Sequence, residues 1–314
     1  MRSAVDERDD AAVWDVARPA RPSQVAGVSM AGFRDRGMTT VGHRAIPHPA
    51  VTLVVEFGAG PLIVDDAAGR QQRGSLVAGL GFGPGGVRVR GENFEAVQVR
   101  LSPVVARAVL GVSPADLDGG VVALDDLWGR QASRIREQLS DASSWEERFA
   151  LTDALLARPR RAGSPVDPEV DWAWNRILAR RGQVRVDTLA AEVGWSRKRL
   201  WSRFHSQIGL PPKRAAKLVR FDHAAHRLAA GEDAARVAAD GGYADQSHLH
   251  RDVVAFTRAT PATVANEPWL AVDDIAWPDR TVGPRTPARF VADGPVPGIQ
   301  SPRLPASTVG SIRR

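Results

Sequence analysis

The chain has 314 residues and a mass of 33.8 kDa, a length that suggests two compact domains. It is 43% hydrophobic and 25% charged, enough apolar content to bury a core, and with no cysteine it excludes disulfides, zinc–thiolate sites, iron–sulfur clusters and cysteine nucleophiles. The net charge of +6 is uneven: residues 1–165 hold 20 basic and 20 acidic side chains, residues 166–268 hold 16 against 12, and residues 269–314 hold 6 against 4.

Residues 1–24 are polar and proline-bearing, and they predict a flexible arm. The acidic start, MRSAVDERDD, lacks the apolar stretch of a secretory signal, and no run approaches the roughly 18 apolar residues of a spanning helix. A cytoplasmic protein without a membrane partner is the expectation, and the absence of cysteine fits a reducing compartment. From Gly42 to Leu101 the pattern is that of strands. Val51–Phe57 is rich in β-branched residues, and Val87–Arg90 and Glu95–Leu101 alternate apolar with polar. Glycine clusters between these runs predict turns of an antiparallel sheet. After Pro103 the pattern turns helical, over Pro103–Leu110, Leu124–Leu139 and Trp145–Ala157.

The polar stretch Ala157–Pro165 makes a natural break, with 161–166 as linker. Asp167-Pro168-Glu169 then predicts a helix start, with Asp167 as N-cap. Helices alone are expected from there to Asn266. The Pro- and Gly-rich span 269–314 predicts a mostly disordered tail.

Three motifs invite chemistry and lack its context. Gly81-Phe-Gly83-Pro-Gly85-Gly86 has dinucleotide-loop spacing, but the residues after it predict a strand, so no helix N-terminus is offered to a pyrophosphate. His43 and His48 have no third ligand in sight, and His223 and His226, one turn apart, predict a solvated or DNA-backbone-facing pair rather than a metal site. No nucleophile elbow accompanies a serine. The expectation is no enzyme, no cofactor and no metal.

The second half carries an internal repeat. Leu189-Ala190, three residues, Gly194-Trp195 is echoed by Val237-Ala238, three residues, Gly242-Tyr243. The register then slips by one, so that Ser196, Leu200, Phe204 and Pro212 match Asp245, Leu249, Val253 and Pro261. Each copy predicts a short helix, a glycine turn, an N-cap and a longer amphipathic helix, the helix-turn-helix plan. Between Val193 and Phe221 lie eight Lys or Arg and no acid, a balance that suits a polyanion. At 100° per residue, Lys198, Arg199 and Ser202 face away from the first copy's apolar side, with Trp201 on the flank. In the second copy Ser247, His248 and Arg251 face away, with Gln246 and His250 flanking. Arg or Lys can pair with guanine and Gln with adenine, so these positions are candidates for reading bases. Ser196, Arg197, Arg203, Arg214 and Lys217 are the candidates for phosphate contact.

The strings LAAEVGWSRKRLWSRFHSQIGLPP and VAADGGYADQSHLHRDVVAFTRATP, joined by Pro211–Ala230, resemble the DNA-binding domain of AraC/XylS-type transcriptional regulators. The resemblance implies two recognition helices in successive major grooves, read by Lys198, Trp201 and Ser202 and by Gln246, Ser247, His248 and Arg251. Three departures stand out: Val253 for a usual Phe, Ala234 for a usual Ile, and Arg258 where a glycine usually ends the second recognition helix, which leaves that end without an easy left-handed cap. HPAVTLVVEFG and the segment LSPVVARAVLGVSPADLDGGVVALDDLWG resemble the cupin-like sensor halves found ahead of such domains, more weakly.

The expected architecture is therefore α+β. A cupin-like β domain with a helical subdomain occupies 25–160, and an all-α domain with two helix-turn-helix motifs occupies 167–268. The expected partners are promoter or operator DNA, a small-molecule effector or a second copy of the chain acting through the N-terminal half, and RNA polymerase in the case of an activator. A cupin-type metal enzyme or DNA-modifying protein carrying an attached helix-turn-helix is the alternative.

Overall fold

The computed structural model describes residues 14–35, 42–66, 69–82, 86–117, 119–158 and 165–278. Its first half holds ten strands: β1 (Trp14–Ala17), β2 (Val28–Asp35), β3 (His43–Ala45), β4 (Val51–Glu56), β5 (Ile63–Asp66), β6 (Gln71–Arg73), β7 (Leu76–Ala78), β8 (Val87–Arg90), β9 (Glu95–Leu101) and β10 (Val121–Ala123). They form two antiparallel sheets, ordered β1-β2-β9-β4-β7-β10 and β3-β8-β5-β6.

The alternation of side chains assigns each strand two jobs. Val51, Leu53 and Val55 of β4, and Val97, Val99 and Leu101 of β9, point to one face and belong to a core shared with helices. Thr52 and Val54, with Ala96, Gln98 and Arg100, point the other way, into an interior closed by Ala45, Val64 and Val87 of the second sheet. The result is a cupin-like barrel with helices packed on one outer face.

Those helices are α1 (Pro103–Leu110), α2 (Leu124–Trp128), α3 (Arg130–Asp141) and α4 (Trp145–Leu156). On α3 the buried residues Ala132, Ile135 and Leu139 form a stripe at helical spacing. The N-terminus of α4 is fixed by Ser144, whose hydroxyl oxygen accepts the Glu147 N–H at 3.2 Å. Trp145 then lies on β2 at Gly32, where a Cβ would fall 2.4 Å from the indole. That contact requires glycine.

The second half is helical: α5 (Pro168–Ala179), α6 (Val186–Glu192), α7 (Arg197–Ile208), α8 (Pro212–Ala229), α9 (Ala234–Asp240), α10 (Gln246–Thr257), α11 (Pro261–Ala265) and α12 (Pro268–Ala276). The mixed α+β architecture is thus a barrel with a helical subdomain followed by a helical domain. The two halves share one apolar cluster, which runs from the outer sheet face through α1–α4 into α8 and α10. At the seam Gly209, at φ +91°, places its Cβ direction 2.7 Å from the Pro114 carbonyl oxygen. Ser113 donates to the Ser206 carbonyl at 3.2 Å, and the Arg44 N–H donates to Glu267 Oε1 at 2.8 Å.

Two segments expected to be irregular are ordered elements. Trp14–Ala17, inside the expected 1–24 arm, pairs with β2 because the Trp14 ring is buried edge-on against Phe94 and Trp269. Residues 1–13 lie outside the described residues. Within the expected tail, α12 buries Leu270, Val272 and Ala276 against the barrel and the linker helix α8, so this part of the tail is structured. Residues 279–314 lie outside the described residues.

A buried polar chain fastens α12. Asp273 accepts from the Arg100 guanidinium of β9, and its second oxygen lies 3.1 Å from His226 Nε2 of α8. His226 Nδ1 faces the Asp222 carbonyl at 2.8 Å. Both ring nitrogens therefore face acceptors, and only the imidazolium satisfies both. The solvated or DNA-facing position expected for His226 is corrected here: it is buried between α8 and α12.

Burial by itself would lower the His226 pKa. The hydrogen bond to Asp273 and the charges of Asp222 and Asp273 outweigh it and hold the group above its ordinary value. Burial would likewise raise Asp273, but the Arg100 charge and the hydrogen bond and charge of His226 hold it well below the carboxylate range. The sign for His226 follows from linkage. Its contribution is complete below about pH 6.5, the unfolded value, and is lost as pH rises through the higher folded value. The full chain is expected to lose denaturant stability as pH rises above about 6.5, and His226→Gln is expected to flatten that loss. An equal loss in both proteins would contradict the assignment.

Candidate nucleic-acid interface and barrel cavity

Each helix-turn-helix unit is set by local chemistry. In the first, Gly194 turns the chain at φ +67° between α6 and α7, and Ser196 caps α7 by accepting the Arg199 N–H at 3.2 Å. Leu200, Phe204 and Ile208 are fully buried, with Phe204 against Trp174 of α5, and Gly209 ends the helix in the left-handed region. In the second, Gly242 turns at φ +70° and Asp245 caps α10 by accepting the His248 N–H at 2.6 Å. Leu249 and Val253 are fully buried, and Phe256 stacks on Phe221 of α8 at 4.8 Å. The smaller Val253 is buried in the same apolar cluster.

On the outer face of α7, Lys198, Arg199, Trp201 and Ser202 are exposed together. Trp201 is 51% exposed and stacked on His205, an unusual position for a large apolar ring unless something covers it. Arg199 lies over the Trp195 ring at 4.4 Å, and Arg197 pairs with Asp187 at 3.0 Å while remaining largely exposed. On α10, Gln246, Ser247 and Arg251 are exposed, and Arg251 Nε donates to the Ser247 carbonyl at 3.2 Å.

Three candidate residues do different work from that expected. His248 does not point outward. Its ring packs edge-on against Tyr243, and its Nδ1 accepts the Ala244 N–H at 3.3 Å, so it buttresses the turn ahead of α10. Arg203 is held by both oxygens of Asp167, at 2.6 and 2.7 Å, which ties α7 to the start of α5 instead of leaving the fork for a phosphate. The same contact takes the Asp167 carboxylate away from the capping role expected of it. Lys217 donates to Asp252 at 2.8 Å, and Arg220 takes the other oxygen of that buried carboxylate, also at 2.8 Å. Lys217 therefore braces α8 against α10. Helical periodicity carries no information about these partners, which lie 35 or 36 residues away. Arg214 and Ser196 stand exposed on the surface of this domain.

The missing glycine after α10 is resolved by Arg258 itself, which adopts φ +53°, ψ +24° and donates its N–H to the Val254 carbonyl at 2.8 Å.

The barrel interior holds a cavity of about 70 Å³. Its wall is mostly apolar, with Phe33, Val54, Val64 and Phe82 from the strands and the 3₁₀ turn Leu80–Phe82, and Trp269 from α12. The polar lining is His48, Thr52, Gln98 and Arg100. Sequence reading did not assemble this cluster, although alternation along β9 puts Gln98 and Arg100 on one side, opposite Val97, Val99 and Leu101, which was the available signal. A strand, β8, follows the glycine motif at 81–86, of which residues 83–85 lie outside the described residues. Among the described residues no group of three or more His, Asp or Glu is placed to hold a metal, and no helix is long and apolar enough to cross a membrane.

Residues 189–267 match the family described as Helix-turn-helix domain, a span that contains both units. The C-terminal region is an AraC-type helix-turn-helix domain. No curated protein sequence matches it. Similar solved structures include ToxT from Vibrio cholerae O395, at 10% identity and a TM-score of 0.40 over 76% of this chain and 97% of that one. The P21 form of ToxT from Vibrio cholerae gives 11% identity and 0.42 over 76% and 98%. The AraC-like transcriptional activator CuxR gives 15% identity and 0.26 over 65% and 84%.

A left-handed backbone costs a non-glycine residue about 1 kcal/mol, so Arg258→Gly is expected to stabilise the full chain by about 0.5–1 kcal/mol in denaturant unfolding. A destabilised variant would show that the Arg258 side chain contributes more than its backbone strain costs.

Proposed function

We propose that the protein is a cytoplasmic, sequence-specific transcriptional regulator that binds double-stranded DNA through both helix-turn-helix units and receives a small-molecule effector in its barrel. The observation that carries this reading is the pair of equivalently capped helices, α7 and α10, each offering exposed base-reading side chains on its first turns. Lys198, Trp201 and Ser202 form the reading face of α7, and Gln246, Ser247 and Arg251 that of α10. Arg199 is near enough to the first set to serve either bases or phosphates. Ser196, Arg197 and Arg214 are the phosphate contacts, while Arg203, Lys217 and His248 hold the readers in place. The cavity, with its apolar wall and few polar groups, supports the effector role. In this reading the protein performs no catalysis and needs no metal or cofactor. Homodimerisation through the N-terminal half, and contact with RNA polymerase when the protein activates, belong to the same reading.

The two kinds of contact separate experimentally. Arg251→Ala is expected to cost about 1–3 kcal/mol at the cognate site and to relax preference at one base pair. Arg214→Ala is expected to weaken all sequences about equally and to lower the salt slope by about one unit. Selection from a randomised duplex library with the full chain reads both. Uniform weakening by Arg251→Ala, with the preferred sequence unchanged, would remove α10 from the reading surface. Absence of salt-dependent DNA binding by the parent protein would overturn the function itself.

A further inference from the structure

Charge in and around the barrel cavity is already balanced, with Arg100 and the His226 imidazolium facing the carboxylates of Asp273 and Asp222. The cation lining it is Arg100, and its guanidinium is held from the α12 side by the carboxylate of Asp273 while lying 4.5 Å over the Trp277 ring. His48, the second titratable group in the lining, has Nε2 3.1 Å from the Thr52 hydroxyl and packs edge-on against Phe82. Burial, reinforced by the Arg100 charge, keeps its imidazole neutral, well below the usual histidine range. Yet two polar atoms of this lining have no partner: Arg100 Nε and His48 Nδ1, on residues 7% and 4% exposed. Arg100 Nε–H can only donate. With the Thr52 hydroxyl donating to His48 Nε2, the ring proton sits on Nδ1, which makes a second donor.

We propose that the cavity accepts an uncharged, largely apolar small molecule whose single acceptor oxygen seats against Arg100 Nε–H and His48, and that it rejects carboxylates. The proposal rests on the effector reading of the cavity and names the class of ligand. A carboxylate would bring a second negative charge to a buried cation that Asp273 has already neutralised, with no further cation among the described lining residues to match it. Displacing Asp273 instead would strip His226 of its partner and undo the anchorage of α12. A neutral carbonyl, ether or lactone oxygen satisfies the open donors and leaves that anchorage intact. The volume, about half of the roughly 150 Å³ that holds a benzene molecule, selects a short or branched chain or a small ring.

The test compares two probes of the same shape and opposite charge state, 2-butanone and propionate, at millimolar concentration with the full chain, by saturation-transfer NMR. Butanone is expected to bind and propionate to bind at least about tenfold more weakly. Val54→Phe, which fills the cavity, is expected to abolish the butanone signal. Asp273→Asn, which uncovers the Arg100 charge, is expected to bring propionate to parity or better. Propionate binding the parent protein as well as butanone would overturn the proposal, and so would butanone binding that survives Val54→Phe in a folded variant. Propionate remaining excluded from Asp273→Asn would overturn the role given to Asp273. If neither probe binds the parent protein, the effector reading of the cavity fails first and this proposal falls with it, with DNA binding unaffected.

Discussion

The carboxylate of Asp273 is where three parts of the molecule meet. It takes a hydrogen bond from a barrel strand through Arg100 and from the linker helix through His226, and it stands on the helix that follows the second helix-turn-helix. A buried ion set of this kind adds little net stability compared with apolar packing, but losing one member leaves the others uncompensated. Its value is positional. It fixes the register of α12 on the barrel, which in turn sets Trp269 as a cavity wall and holds α8, the spine between the recognition units, against α12.

The DNA-binding surface depends on that spine from its other side. Asp252, buried, is shared by Lys217 and Arg220 of α8, and Phe256 stacks on Phe221, so α10 is fixed to the linker helix by one polar and one aromatic clamp. The fork of Arg203 on Asp167 does the same for α7 and α5. Basic residues in this domain divide accordingly into those that hold helices together and those that remain on the surface. Net charge counts both alike.

What was legible in the sequence is what local chemistry determines. Ser196 and Asp245 cap the helices they were expected to cap, Gly194 and Gly242 turn where the repeat placed them, and the inward residues Leu200, Phe204, Leu249 and Val253 are buried. A run of β-branched residues likewise located β4, and strand alternation located β9. What was not legible depends on pairing across long separations. The helix α12 is nine residues long, and its apolar side has meaning only against β1 and β3. Trp14 looks like an isolated aromatic in a polar arm until Trp269, remote in sequence, is beside it. His226 at i+3 from His223 suggested a shared surface, whereas a carboxylate 47 residues downstream draws it inward.

The contact between Trp14 and Trp269 also orders events during synthesis. A ribosome adding roughly 5–20 residues per second completes the strands well before it reaches the residue that walls their cavity. Until α12 emerges, the barrel carries an uncovered apolar mouth and Arg100 lacks its counter-charge. The nascent N-terminal half therefore keeps that apolar surface and that charge uncovered through the whole translation of the helical domain. Separation of the halves by gene fusion or exchange has to keep the residues through Trp277 with the barrel, or it leaves the barrel unfinished.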